Sequence, residues 1–395
     1  MSEHARIDEA VAAATAAAAG LTGADAKSKA AHAGLLYDHG LAWVNFPPGA
    51  GGLGVSASLQ DYADAAVDAA GLHRPDRHDN AIGFGMAAPT IAGYGTDEQK
   101  TWLKRIYTLE TIVCQLFSEP GAGSDLAAVA TKAVLDGDTY RVTGQKVWTS
   151  GAHNADLAIL IARTDPSVPK HRGLSYFLLD MHAPGVETCG LRQITGEAEF
   201  NEVFLTDVPV PASMRLGEPG EGWKIANTTL NNERVAIGGG APREGGMLGV
   251  VTKAWREQLE VRDPLLHDEL MRLWVESETA RMLGERTAQQ VAAGQPGPEG
   301  SGAKLSFARN AQQLSALDVR MRGVDGLRHD SYGMRRPEHY SMTGRTPVYR
   351  YLRAKGNSIE GGTSEIIRNI IAERVLGLPG EHRTDKDLPF KDLPK

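Results

Sequence analysis

Hydrophobic spacing in this chain changes period twice, and the two switches divide it into three unlike parts. Residues 8–40 are Ala-rich and helical in propensity, and Ser58 to Ala70 reads as a second helix with Ser58 as its N-cap. Thr96-Asp97-Glu98-Gln99 has capping-box spacing ahead of Trp102 and Leu103, which predicts another helix start. From Thr111 the pattern shortens. Lys132–Leu135 and Tyr140–Thr143 flank Asp136-Gly137-Asp138, a hairpin turn signal, and Leu157–Ala162, Leu174–Leu179 and Glu202–Leu205 follow as short strands. After Glu218-Pro219-Gly220 helical periods return, over Trp223–Ile237, Leu265–Ala293 and Ala303–Arg322. The Gly- and Pro-rich stretch Gly294–Gly302 reads as a linker, and a last helix follows Gly362. The expectation is an α+β chain with a helical domain at 1–112, a β-barrel at 113–220 and a helical bundle at 221–395.

With 395 residues the chain can build two or three domains with real cores. Its net charge of −7 argues against nucleic acid or an anionic membrane as a partner. Only Cys114 and Cys189 are present, which excludes a disulfide framework and a Cys-rich metal site; Cys114, in an apolar strand, reads as a small core residue. No apolar run approaches a membrane span, and the Ala-rich start carries Asp and Glu where a signal peptide is basic and apolar. A cytoplasmic location is the default. Gly49-Ala50-Gly51-Gly52-Leu53-Gly54 satisfies the dinucleotide fingerprint, but Pro47-Pro48 stands where the feeding strand should end and no βαβ pattern follows, so it reads as a loop.

Two segments carry the chemistry. Gln115-Leu116-Phe117-Ser118-Glu119-Pro120-Gly121-Ala122-Gly123-Ser124-Asp125 is a strand breaking into a tight polar loop. Gly144-Gln145-Lys146-Val147-Trp148-Thr149-Ser150-Gly151 places an indole and hydroxyls on a short strand. Together they resemble the flavin-binding strands of the acyl-CoA dehydrogenases. The tail Gly356-Asn357-Ser358-Ile359-Glu360-Gly361-Gly362-Thr363-Ser364-Glu365-Ile366-Ile367-Arg368 resembles that family's C-terminal flavin motif. The resemblance implies the family's three-domain fold and bound FAD, with Trp148 covering one face of the ring and Ser118 (in place of the more usual Thr) and Ser150 at its polar edge. It places Gln115, Phe117, Gly123, Ser124, Thr363 and Glu365 among the cofactor contacts. Ser124, Asn231 and Arg234 fall among the acyl-CoA contacts. No metal is implied.

The resemblance also implies a carboxylate base at the substrate α-carbon. Many members carry it directly before the Gly-Thr of the tail motif, where this chain has Gly361. Glu360 is one residue early, and in an extended segment one step turns its side chain away. A subset similar to the isovaleryl and long-chain enzymes carries the Glu on a C-terminal-domain helix before an Arg, and Asn231-Asn232-Glu233-Arg234-Val235 matches that place. Glu233 is therefore the expected base, against the plainer alternative of a solvated helix charge. The backbone N–H of Gly361 would hold the thioester oxygen as the enolate forms. A trans-2-enoyl-CoA would result, with electrons leaving to an electron-transfer flavoprotein.

Where many members have an Arg and a Phe-Gly that reach a neighbouring subunit's FAD, this chain reads Trp255 to Pro264, and either Arg256 or Arg262 could serve. The adenine segment is altered to Met321-Arg322-Gly323-Val324-Asp325-Gly326. This pattern resembles actinobacterial sterol-catabolism-type dehydrogenases, so both a homotetramer and a heterotetramer with a homologous chain are open. Two further readings stand beside the dehydrogenase: a non-catalytic partner subunit, and a related flavin oxidase.

Overall fold

Several helix starts in the first third of the chain are set by side chains that accept from exposed first-turn amides. Ser2 Oγ accepts from Ala5 N–H at α1 (Glu3–Ala17), and Asp25 Oδ1 from Ser28 N–H at α2 (Ala26–Asp38). Ser56, not Ser58, is the capping hydroxyl of the next segment: it accepts from Ser58 N–H across a short 3₁₀ turn, and α3 (Gln60–Ala69) follows without a side-chain cap. After α4 (Ala88–Tyr94), Thr96 and Gln99 form the expected capping box at α5 (Asp97–Lys100), which leads into α6 (Trp102–Tyr107). The glycine-rich stretch at 49–54 is a loop between α2 and α3.

The computed structural model describes residues 1–21, 25–238, 243–257, 263–292, 297–298, 300–337, 342 and 344–393. It divides into two compact units. The first joins Met1–Gly190, Phe200–Asn232 and Thr384–Lys395; the second joins Leu191–Glu199 and Glu233–Arg383. Among the described residues, no helix is long and apolar enough to cross a membrane.

The first unit continues into eight strands: β1 (Val113–Leu116), β2 (Lys132–Asp136), β3 (Thr139–Ser150), β4 (Leu157–Arg163), β5 (Leu174–Asp180), β6 (Val186–Gly190), β7 (Phe200–Pro211) and β8 (Arg215–Leu216). They form one sheet ordered β6-β7-β3-β2-β4-β5-β8, with β1 parallel to β4. The β2–β3 hairpin turns at Gly137, whose φ of 63° suits glycine. β4 is buried along its whole length, and alternation sorts its side chains. Leu157, Ile159 and Ile161 join the core shared with the N-terminal helices, while Ala158, Leu160 and Ala162 join a second core with Leu116, Phe177 and Val203. That explains the uninterrupted apolar run in its sequence. β6 and β8 had no clear sequence signal.

Gly144 marks a close approach inside this sheet. A Cβ there would lie 2.2 Å from Thr131 Oγ1 and 2.7 Å from Thr131 Cα. Gly144→Ala is expected to lower stability by about 1–3 kcal/mol through overpacking, read as a shifted urea midpoint at unchanged slope. An unchanged midpoint would contradict the contact.

α7 (Gly222–Gly238) begins in the first unit, where Thr229 on α7, Thr90 on α4 and Tyr176 on β5 share hydroxyl hydrogen bonds at 2.9 and 3.0 Å. The second unit holds α8 (Gly246–Glu257), which the sequence reading passed over, with α9 (Pro264–Ala292), α10 (Gly300–Met321), α11 (Pro347–Ala354) and α12 (Ser364–Ile370). Leu248 and Val251 of α8, Leu270 and Leu273 of α9, and Leu314 and Leu317 of α10 form its apolar core.

Candidate active site

The two segments singled out in the sequence meet where β1 ends. Val147 N–H donates to the Ser118 carbonyl at 2.9 Å, which seats the start of the polar loop against β3. The fully buried Lys146 fastens the junction: its Nζ donates to Phe117 O at 3.0 Å, Ile161 O at 2.9 Å and Glu119 Oε1 at 2.8 Å. Glu119 also accepts from the backbone N–H groups of Ala130 at 2.7 Å and Thr131 at 2.9 Å. Burial pushes the Lys146 ammonium down to about 8, against the raising effect of Glu119. Burial works to raise the Glu119 carboxyl, but the Lys146 charge and the hydrogen bonds outweigh it and hold the group below its ordinary value. A lysine inside a strand reads as solvent-facing, so Lys146 and Glu119 were not found in the sequence. The one available signal was an acidic residue in the loop with a lysine on the neighbouring strand.

β3 is twelve residues long, not short, and it is bulged at the indole. Lys146 pairs with Val203 and Thr149 with Asn201, so β3 carries one extra residue between them. Trp148 takes up the distortion with φ of 62°, an uncommon conformation for a bulky residue. Its indole is 60% exposed and meets Phe200 edge-on at 5.9 Å. Ser118 and Ser150 are half-buried, and neither hydroxyl has a hydrogen-bond partner among the described residues. Thr149 Oγ1 is buried without a partner as well. An exposed aromatic face on a strained bulge, beside unengaged hydroxyls, is a donor set that fits a planar ring with one apolar face and a polar edge.

Gln115 is half-buried on β1, and Gly123 and Ser124 are exposed at the loop tip. A pair of 3.0 Å hydrogen bonds between the backbones of Glu119 and Ala122 tightens the turn. The Phe117 ring is buried edge-on to Tyr176 at 5.9 Å and its carbonyl is taken by Lys146, so its ring belongs to the core. Burial likewise pushes the Cys114 thiol up, as expected of a core cysteine.

On α7, Asn231 is exposed, while the side chains of Glu233 and Arg234 lie outside the described residues. In the second unit the tail motif is not extended. Lys355–Ser358 is a 3₁₀ turn, and Gly361 and Gly362 have φ of 63° and 95°. Strand alternation therefore does not set the direction of the Glu360 side chain, whose carboxylate is engaged by its neighbours. Asn357 Nδ2 donates to Glu360 Oε1 at 2.5 Å, and Arg353 reaches both oxygens at 3.1 Å. Buried Lys304 donates to Gly362 O at 2.6 Å. Thr363 caps α12, its hydroxyl accepting from Ile366 N–H at 3.2 Å, and Glu365 is exposed in the first turn. Arg256 pairs with Glu244 at 3.0 Å, and Arg262 lies outside the described residues.

The chain also matches known proteins over most of its length. Models of the acyl-CoA dehydrogenase middle domain and of the acyl-CoA dehydrogenase C-terminal domain match residues 114–208 and 220–376. Acyl-CoA dehydrogenase FadE34 of Mycobacterium tuberculosis is 39% identical over 96% of this chain, and the chain spans about half of that relative's length. Acyl-CoA dehydrogenase IpdE1 of the same organism is 38% identical over 87% of this chain and 86% of its own. Among solved structures, the Tcur3481-Tcur3483 steroid acyl-CoA dehydrogenase superimposes with a TM-score of 0.71 at 27% identity, covering 95% of this chain and 98% of that one. The ChsE4-ChsE5 complex from Mycobacterium tuberculosis gives 0.69 at 27% identity with the same coverage. The chain belongs to the acyl-CoA dehydrogenase family.

Proposed function

We propose that this protein carries out FAD-dependent α,β-dehydrogenation of an acyl-CoA thioester, giving a trans-2-enoyl-CoA. The observation that carries this reading is the exposed Trp148 on its bulge beside the unengaged hydroxyls of Ser118 and Ser150. When bound, FAD supplies the hydride acceptor for the substrate β-carbon. Glu233 takes the α-proton onto its carboxylate, and the Gly361 N–H donates to the thioester oxygen as negative charge develops there. Trp148 supplies the apolar wall. Gln115, the Phe117 main chain, Gly123, Ser124, Thr363 and Glu365 hold the cofactor, and Ser124, Asn231 and Arg234 hold the thioester. The electron acceptor is an electron-transfer flavoprotein, and the domain boundaries lie near residues 112 and 220.

Two solved relatives are named for pairs of chains, which favours a heterotetramer with a homologous chain over a homotetramer and keeps the non-catalytic subunit as the second reading. Anaerobic titration of the purified protein, alone and with such a partner, against fatty, branched and steroid-derived acyl-CoAs tests both. Bleaching of a yellow protein is the expected result. A colourless protein that takes up no added FAD in either form would end the dehydrogenase reading, and hydrogen peroxide made in air would reassign it as an oxidase.

A further inference from the structure

The glycine loop is held at both ends by buried lysines, and the second is shared with a segment far along the chain. Lys146 grips Glu119 before the loop; Lys170, 4% exposed, donates to Asp125 Oδ2 at 2.6 Å after it and to Asp385 Oδ2 at 2.9 Å. Next to Lys170, buried Arg163 at the end of β4 donates to the carbonyls of Ala127 at 2.7 Å, Val129 at 3.0 Å and Lys170 at 3.1 Å, fixing the stretch that follows Asp125. The Phe390 ring lies over that guanidinium, 3.5 Å from Cζ to centroid. Phe390 N–H donates to Val168 O at 2.9 Å and Lys391 N–H to Pro166 O at 3.0 Å. All these residues belong to the first unit, and the matched C-terminal family model stops at residue 376.

We propose that residues 385–392 are a strap that sets the loop carrying Gly123 and Ser124, acting through Phe390 on Arg163 and Asp385 on Lys170, so that Arg163 and Lys170 are positioning residues for cofactor and substrate binding. The role in binding rests on the flavin reading; the mechanical coupling does not. Between its ends the loop is anchored at Ala122, which is buried and paired with Glu119 through the backbone, while Gly121, Gly123 and Ser124 are exposed and a Cβ at either glycine would meet open space. Its binding-competent arrangement is imposed from its two ends.

The test uses the full chain with Phe390→Ala, Asp385→Asn, Lys170→Met and the conservative Lys170→Arg. Amide hydrogen exchange of residues 122–128 in the FAD-free protein is expected to quicken selectively in the first three and to return toward wild type in Lys170→Arg. If loss of the strap leaves about a tenth of molecules loop-competent, the FAD Kd and the acyl-CoA KM rise about tenfold while kcat stays within a small factor. Unchanged exchange at 122–128 in Phe390→Ala and Asp385→Asn overturns the strap, as does a uniform loss of protection across the first unit with kcat and KM falling together. Selective quickening in a chain that binds no FAD supports the strap and removes the flavin reading, so the two fail separately.

Discussion

A Glu233→Gln variant is expected to bind FAD and acyl-CoA as the parent does, yet to reduce its flavin about 10²–10⁴-fold more slowly, because an amide of the same shape cannot accept the α-proton. The control is Glu360→Gln. That carboxylate is held by Asn357 and Arg353, and Arg353 is shared with Glu199, so the substitution should weaken a structural ion pair and leave the reduction rate within a small factor. Stopped-flow mixing with a substrate that bleaches the parent separates the two. Unchanged reduction in Glu233→Gln, or selective loss in Glu360→Gln, would move the base elsewhere.

The second large effect lies at Lys146. Lys146→Met leaves the Glu119 carboxylate, 9% exposed, without its cation, and the carbonyls of Phe117 and Ile161 without a donor. Removing one member of a buried pair typically costs about 3–5 kcal/mol, measured here by urea denaturation; a loss below about 1 kcal/mol would show the pair to be dispensable. The pH dependence should change as well. The folded Lys146 titrates near 8 and an unfolded lysine near 10.5, so between these values the unfolded chain binds more protons and stability from this group rises with pH. The folded Glu119 value lies below its ordinary 4.5, so its contribution is present above 4.5 and is lost as pH falls through the folded value. Both slopes should flatten in Lys146→Met.

Much of the architecture was legible because it rests on local rules. The capping box at Thr96, the Asp136-Gly137-Asp138 hairpin and the doubly buried run of β4 each announce themselves in a few residues. Features that depend on distant partners did not. Ser58 looked like a cap because nothing local distinguishes it from Ser56. α8 was missed because Gly245, Gly246 and Gly249 mask its period. The Trp148 bulge depends on register against β7, and the fixing of Glu360 on Arg353 and Asn357, so neither follows from alternation. Trp148, Ser118 and Ser150 stand out as candidates because a motif names them; Lys146 and Lys170 do not, because a lysine's burial is decided by the carboxylates that reach it.

The first unit takes in residues 384–393, and Lys170 and Asp385 stand 215 positions apart in the chain. On the ribosome, the strands and the glycine loop emerge long before Phe390 does. Arg163 and Lys170 must therefore wait, already in a nearly finished sheet, through the synthesis of the whole second unit before their last partners arrive. Any nascent chain halted before residue 385 therefore carries the glycine loop without the contacts that Asp385 and Phe390 supply to Lys170 and Arg163.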